Sequence, residues 1–113
     1  MKTAADVVDE YFATMRAGDP KVAELFHDDA RLVGLGAVIA GRPAIDEFYA
    51  SSISAARPEP QLLGPPLVEG DRVAVEIRIG LAYGGPLHVV DLFEVDRGKI
   101  RTLTYFVCEH PAR

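Results

Sequence analysis

Apolar residues recur at helical spacing near the start of the chain, at Val7, Val8, Tyr11, Phe12 and Met15. Asp6, Asp9, Glu10 and Arg16 fall between them. That spacing predicts an amphipathic helix, closed by Gly18 in the role of a C-terminal glycine. Asp19-Pro20 restarts the chain with an N-cap residue and a proline at the first helical position. A short second helix carrying Val22, Leu25 and Phe26 is expected to stop near His27-Asp28-Asp29. Short strands at 31–33 and 38–40 are expected to flank the Gly34-Leu35-Gly36 turn. A third helix follows Gly41-Arg42-Pro43, with Ile45, Phe48, Tyr49 and Ile53 on its apolar stripe.

The pattern changes after Arg57. Pro58, Pro60, Pro65 and Pro66 mark a connector and a broken strand over 61–69. Gly70-Asp71 turns into a long alternating strand over 73–83, and Gly84-Gly85 is a hairpin signal into a strand over 87–95. Asp96-Arg97-Gly98-Lys99 makes a second hairpin before a final strand over 100–109. Helices first and an antiparallel meander afterwards predict an α+β class and one domain over residues 1–113. A curved sheet with helices on one face encloses a pocket between the two layers.

Composition narrows the function. A length of 113 residues, 49% of them apolar, supports one core. The net charge of −5, with no run of Lys or Arg, argues against nucleic acid as a partner. No apolar stretch reaches the length of a membrane span, and Met1-Lys2-Thr3-Ala4-Ala5-Asp6 leads into acidic residues rather than a secretory apolar region. A cytoplasmic protein with no membrane contact is expected. His27, His88 and His110 show no metal-ligand spacing with one another or with Cys108, so neither a metal nor any other cofactor is expected. Gly34-Leu35-Gly36 lacks the third glycine and the lysine of a nucleotide loop. Ser51 and Ser52 sit within a helix without a neighbouring base.

Asp91 is the residue that breaks the pattern. Leu87, Val89, Asp91, Phe93 and Val95 share one face of a strand, and four of the five are apolar. A carboxyl group turned into a core is expensive to ionise and is relieved by pairing or by holding its proton. The alternatives are an aspartate bonded to backbone at a bulge, or a strand with its other face inward. Tyr11 lies on the buried stripe of the first helix, so its hydroxyl needs an internal partner; the alternative is a core tyrosine whose hydroxyl reaches the edge. With Tyr49 on the third helix, these groups would make an oxyanion hole.

Four segments carry a resemblance. Residues 11–19, Leu25-Phe26-His27-Asp28-Asp29-Ala30, Gly41-Arg42-Pro43-Ala44-Ile45-Asp46-Glu47-Phe48-Tyr49, and Val89 to Asp96 with Gly98-Lys99-Ile100 resemble ketosteroid isomerase over nearly the whole chain. The resemblance implies the cone-shaped α+β fold named for nuclear transport factor 2 (cystatin-like), a curved antiparallel sheet covered by three N-terminal helices, which SnoaL-like polyketide cyclases share. It also implies a homodimer and a small hydrophobic ligand bearing a carbonyl or phenol, steroid- or polyketide-like.

Residue by residue, the resemblance makes Tyr11 the oxyanion-hole tyrosine, Asp91 the aspartic acid beside it, and Tyr49 the tyrosine that supports Tyr11. A carboxylic acid kept neutral at pH 7 is a known trait of ketosteroid isomerase, not a deduction from this sequence. Met15, Gly34, Phe48, Val89, Leu103, Tyr105 and Val107 would line the pocket. The family's proton-shuttling aspartate falls on Gly34, and no acidic residue occurs between Asp29 and Asp46. An oxyanion hole without its usual base is therefore expected, with very low isomerisation of a Δ5-3-ketosteroid. Gly34→Asp is expected to restore part of it. A SnoaL-like aldol cyclase or lyase using Asp91 as acid/base, and a binder without catalysis, are the competing readings.

Overall fold

A computed structural model describes residues 2–109 of the chain. Helix α1 spans Ala4–Arg16 and helix α2 spans Arg42–Ala56, with a short 3-10 helix at Pro20–Leu25 between them. The strands are β1 (Phe26–Val33), β2 (Ile39–Ala40), β3 (Glu59–Leu62), β4 (Leu67–Glu69), β5 (Arg72–Gly80), β6 (Leu87–Asp96) and β7 (Lys99–Glu109). They form one sheet in the order β2-β1-β7-β6-β5-β3, with β4 also on β5. All pairings are antiparallel except β1 with β7, which run parallel.

Helix α1 begins three residues before its first apolar periodic residue, because Thr3 and Asp6 cap each other. The Asp6 amide donates to the Thr3 hydroxyl, and the Thr3 amide donates to the Asp6 carboxylate. This reciprocal box satisfies two otherwise orphaned donors. These bonds also hold the exposed Asp6 carboxyl below its ordinary pKa. Thr3→Ala is expected to lower stability by about 1 kcal/mol, seen as a lower urea midpoint with an unchanged m-value.

Three expected boundaries move. Phe26 and His27-Asp28-Asp29 belong to β1 rather than to a helix and its end. Phe26, Ala30 and Leu32 turn inward, and Phe26 pairs with Ile100 of β7, so the tertiary partner overrides the local helical spacing. The second helical segment is correspondingly a 3-10 turn. The broken strand over 61–69 is two separate strands on the same neighbour. Strand β5 stops at Gly80 rather than at Tyr83, since the Ala82 amide donates to the Ala56 carbonyl and draws the chain to the end of α2.

The core lies between the helices and one face of the sheet. Helix α1 contributes Val7, Val8, Tyr11, Phe12 and Met15, and α2 contributes Ile45 and Tyr49. The sheet answers with Val73, Val75 and Ile77 of β5, Val89 and Phe93 of β6, and Leu103 and Tyr105 of β7. Because β7 is last in sequence but lies between β1 and β6, it is central. Its inward residues sit beneath the helices.

Candidate functional site

Asp91 faces inward from the middle of β6. It is the one charged residue type among the buried residues described, with 1% of its surface exposed. Neither carboxyl oxygen has a hydrogen-bond partner. Burial alone raises its pKa well above the ordinary value, because the carboxylate has lost its water and gained no cation. The sheet register sets Asp91 directly between Val75 of β5 and Tyr105 of β7. Directly opposed residues hold their Cβ atoms about 5 Å apart, so Asp91 and Tyr105 start from adjacent positions on one face.

Three tyrosine hydroxyls meet above this face. Tyr11 of α1, Tyr49 of α2 and Tyr105 of β7 form a triangle with O–O separations of 2.9 Å (Tyr11 to Tyr49), 3.0 Å (Tyr11 to Tyr105) and 2.9 Å (Tyr49 to Tyr105). All three are raised above the ordinary phenol pKa, chiefly by burial, and the Asp91 charge raises each further. Three hydroxyls carry three protons, and each oxygen accepts up to two bonds. A closed ring therefore uses every proton internally. When one tyrosine donates to a ligand oxygen instead, the other two donate to it and strengthen its O–H as a donor.

The hydroxyl triangle and Asp91 open onto a cavity of about 140 Å³. Of the residues expected at the site, Tyr11, Met15, Phe48, Tyr49, Val89, Asp91, Tyr105 and Val107 line it. Leu103 and Gly34 are not brought to it. Leu103 is fully buried in the core beneath, and Leu35 takes the lining position next to Gly34. Ser52, Pro60, Ile77, Leu81 and Leu87 also line it, unforeseen from the sequence. The Tyr105 hydroxyl has the same signal that pointed to Tyr11. A tyrosine alternating with Leu103 and Val107 on an inward strand face needs an internal partner.

Gly34 is glycine for a backbone reason. Its φ is +103°, and a Cβ built there would lie 2.1 Å from the Tyr105 carbonyl oxygen. A side chain at this position would point into the backbone of β7, not into the cavity. The expected rescue by Gly34→Asp is thus corrected, because the position presents no side chain to the ligand. Asp91 is the only carboxyl among the described residues lining the cavity.

His88 points away from Asp91, and its Nε2 lies 2.7 Å from Glu76 Oε2. Among the described residues no group of three or more His, Cys, Asp or Glu is arranged to hold a metal ion. His110 lies outside the described residues. None of the described helices is long and apolar enough to cross a membrane.

Residues 8–103 match the protein-family profile described as SnoaL-like domain. No curated protein matches the chain. Among solved structures, a Sinorhizobium meliloti protein proposed to be a polyketide cyclase is 26% identical. That match covers 89% of this chain and 94% of the other, with a TM-score of 0.81. A Sphaerobacter thermophilus protein is 23% identical over 96% of this chain and 99% of its own, with a TM-score of 0.81. A Cytophaga hutchinsonii protein of unknown function, described as like nuclear transport factor 2, is 16% identical over 95% of this chain and 91% of its own, with a TM-score of 0.79. These last two show the shared fold.

Proposed function

The chain belongs to the SnoaL-like domain family, and from that premise we propose that it is a small-molecule enzyme whose cavity receives a carbonyl or phenol oxygen between Tyr11 and a neutral Asp91. The observation that carries this reading is the carboxyl itself. Asp91 is buried with both oxygens unpartnered, in the same apolar cavity as a ring of three hydroxyls. A stabilising role in the fold would give those oxygens partners, since an unsatisfied buried polar group costs about 1–3 kcal/mol. A ligand oxygen supplies the missing acceptor.

In its neutral form Asp91 donates one hydrogen bond and Tyr11 donates another. Both donors are fixed before the reaction, so they favour an oxygen that gains negative charge, as in an enolate. The α-proton of that enolate passes to hydroxide or a buffer base from solvent, Asp91 being already protonated in this reading. Tyr49 and Tyr105 support Tyr11 without contacting the reacting atoms. A second reading, that Asp91 is itself the acid/base of an aldol-type cyclisation or lyase step, is favoured because no other carboxyl among the described residues lines the cavity. The proposed polyketide cyclase among the related structures points the same way.

We place the protein in the cytoplasm as a homodimer. The register aligns Leu67, Ala74 and Leu92 across the outer face of the sheet, with Val90 and the half-exposed Phe106 in the adjoining row. A second copy would cover these apolar residues, with Thr104 and Glu76 in the same two rows left to pair at the contact.

The test is binding of 4-methylphenol and exchange of α-protons of cyclohexanone in D₂O. Tyr11→Phe keeps the shape and should weaken phenol binding about 10- to 100-fold, the effect of about 1.5–3 kcal/mol per strong hydrogen bond. Asp91→Asn keeps a donor but transfers no proton. Exchange retained within about tenfold supports the oxyanion-hole reading, whereas a loss of about 10²–10⁴-fold supports proton transfer by Asp91. Tyr11-dependent binding without exchange in the wild type identifies a binder.

A further inference from the structure

We propose that the ligand is a single-ring phenol or cyclic ketone with an apolar far end, and that Leu81 sets this size limit. The inference rests on the oxygen-binding reading above and narrows its substrate class. It begins with volume. The cavity is about 140 Å³, close to the roughly 150 Å³ apolar cavity, in an unrelated protein, that takes benzene. One six-membered ring fills such a space, and a fused four-ring skeleton needs several times as much.

The distribution of polar atoms gives the ligand a direction. The hydroxyl triangle and Asp91 are all buried, and they anchor the oxygen at the deep end. Away from them, Ile77, Ile79, Leu81, Leu87 and Val107 offer no hydrogen-bonding side chain. A second oxygen on the far side of the ring would lose its water and find no partner there, Ser52 on α2 excepted.

Part of this lining is held in place. Leu81 and Leu87, at the two ends of the β5–β6 connection, are half-buried lining residues. The Ala82 amide donates to the Ala56 carbonyl at 2.8 Å, tying the residue after Leu81 to the end of α2. Gly85 packs so closely on Leu81 that a Cβ at position 85 would lie 2.9 Å from the Leu81 nitrogen. The backbone of Leu81 is thus held from two sides, and to this half-buried lining side chain the proposal assigns the limit on a second ring.

Ligand size is a discriminating test, because apolar burial by itself makes larger phenols bind more tightly. Binding of 4-methylphenol, 2-naphthol and the four-ring phenol equilenin is measured on the wild-type protein. The expected order is reversed: 4-methylphenol at least tenfold tighter than equilenin, with 2-naphthol between. Leu81→Ala should bring 2-naphthol to parity with 4-methylphenol or better. If wild-type affinity rises with ring number and Tyr11→Phe weakens it, the size limit is overturned while the oxygen-binding reading stands. If no phenol binds, or Tyr11→Phe leaves binding unchanged, the reading falls and this inference with it. A small-ring preference that survives Leu81→Ala in a folded variant overturns the role given to Leu81. The wild-type series needs no variant, so it decides the size limit even if Leu81→Ala does not fold.

Discussion

Asp91→Val is expected to give a protein that is more stable than the wild type near pH 8 and catalytically crippled. The sign follows from linkage. Burial raises the folded-state pKa of Asp91, whereas an unfolded aspartate titrates near 3.9. Between those two values the folded state holds a proton that the unfolded state has released. Stability from this group is therefore fully present below about pH 4 and is lost as pH rises through the folded pKa, by about 1.4 kcal/mol per pH unit. Valine never ionises, suits the strand, and extends only into the adjoining cavity. Its melting temperature should exceed that of wild type by an amount that grows as pH rises from about 5 toward the folded-state pKa of Asp91. On the proposed oxyanion-hole reading, losing the Asp91 donor should meanwhile cost about 10²–10³-fold in turnover. A variant less stable than wild type throughout this range would show that Asp91 stabilises the fold through a contact of its own.

Gly34→Asp is expected to damage the fold instead of supplying a base. A side chain at φ +103° is strained, at about 1–3 kcal/mol. Its Cβ would also collide with the Tyr105 carbonyl oxygen, and overpacking of this kind costs about 1–3 kcal/mol more. That carbonyl belongs to the central strand, one residue beyond the last pairing of β1 with β7, Val33 with Thr104. Relief of the collision would shift β7, and with it the Tyr105 hydroxyl. A loss of about 2 kcal/mol or more lowers the melting temperature by roughly 10 °C or more in a domain of this size. Gly34→Asn should behave alike, because the backbone and not the charge is at fault. Wild-type stability in Gly34→Asp together with new Δ5-isomerase activity would show that the loop yields and that residue 34 reaches the ligand.

These two positions mark what a linear reading does and does not contain. Asp91 was legible because strand alternation is a local rule: four apolar residues on one face carry the fifth inward with them, whatever the sheet packs against. Tyr11 was legible for the same reason on a helix. Gly34 was read through the resemblance as an absent base, since the sequence holds no trace of the strand that crosses beside it. Its glycine is dictated by Tyr105, a residue 71 positions later in the chain.

The sequence by itself determined the α+β class, the two long helices, the β5–β6–β7 meander, and the inward turn of Asp91, Tyr11 and Tyr49. Periodicity and turn chemistry act over a few residues, and those features need nothing more. Only the tertiary structure decided that Phe26 begins a strand, that β7 lies in the middle of the sheet and runs parallel to β1, and that Tyr105 closes a ring of hydroxyls with Tyr11 and Tyr49. It alone decided that Leu81 lines the cavity and that Gly34 does not. Each of these depends on pairing between segments far apart in the chain, where the energy of a contact belongs to two residues at once and neither one's neighbours in sequence encode it.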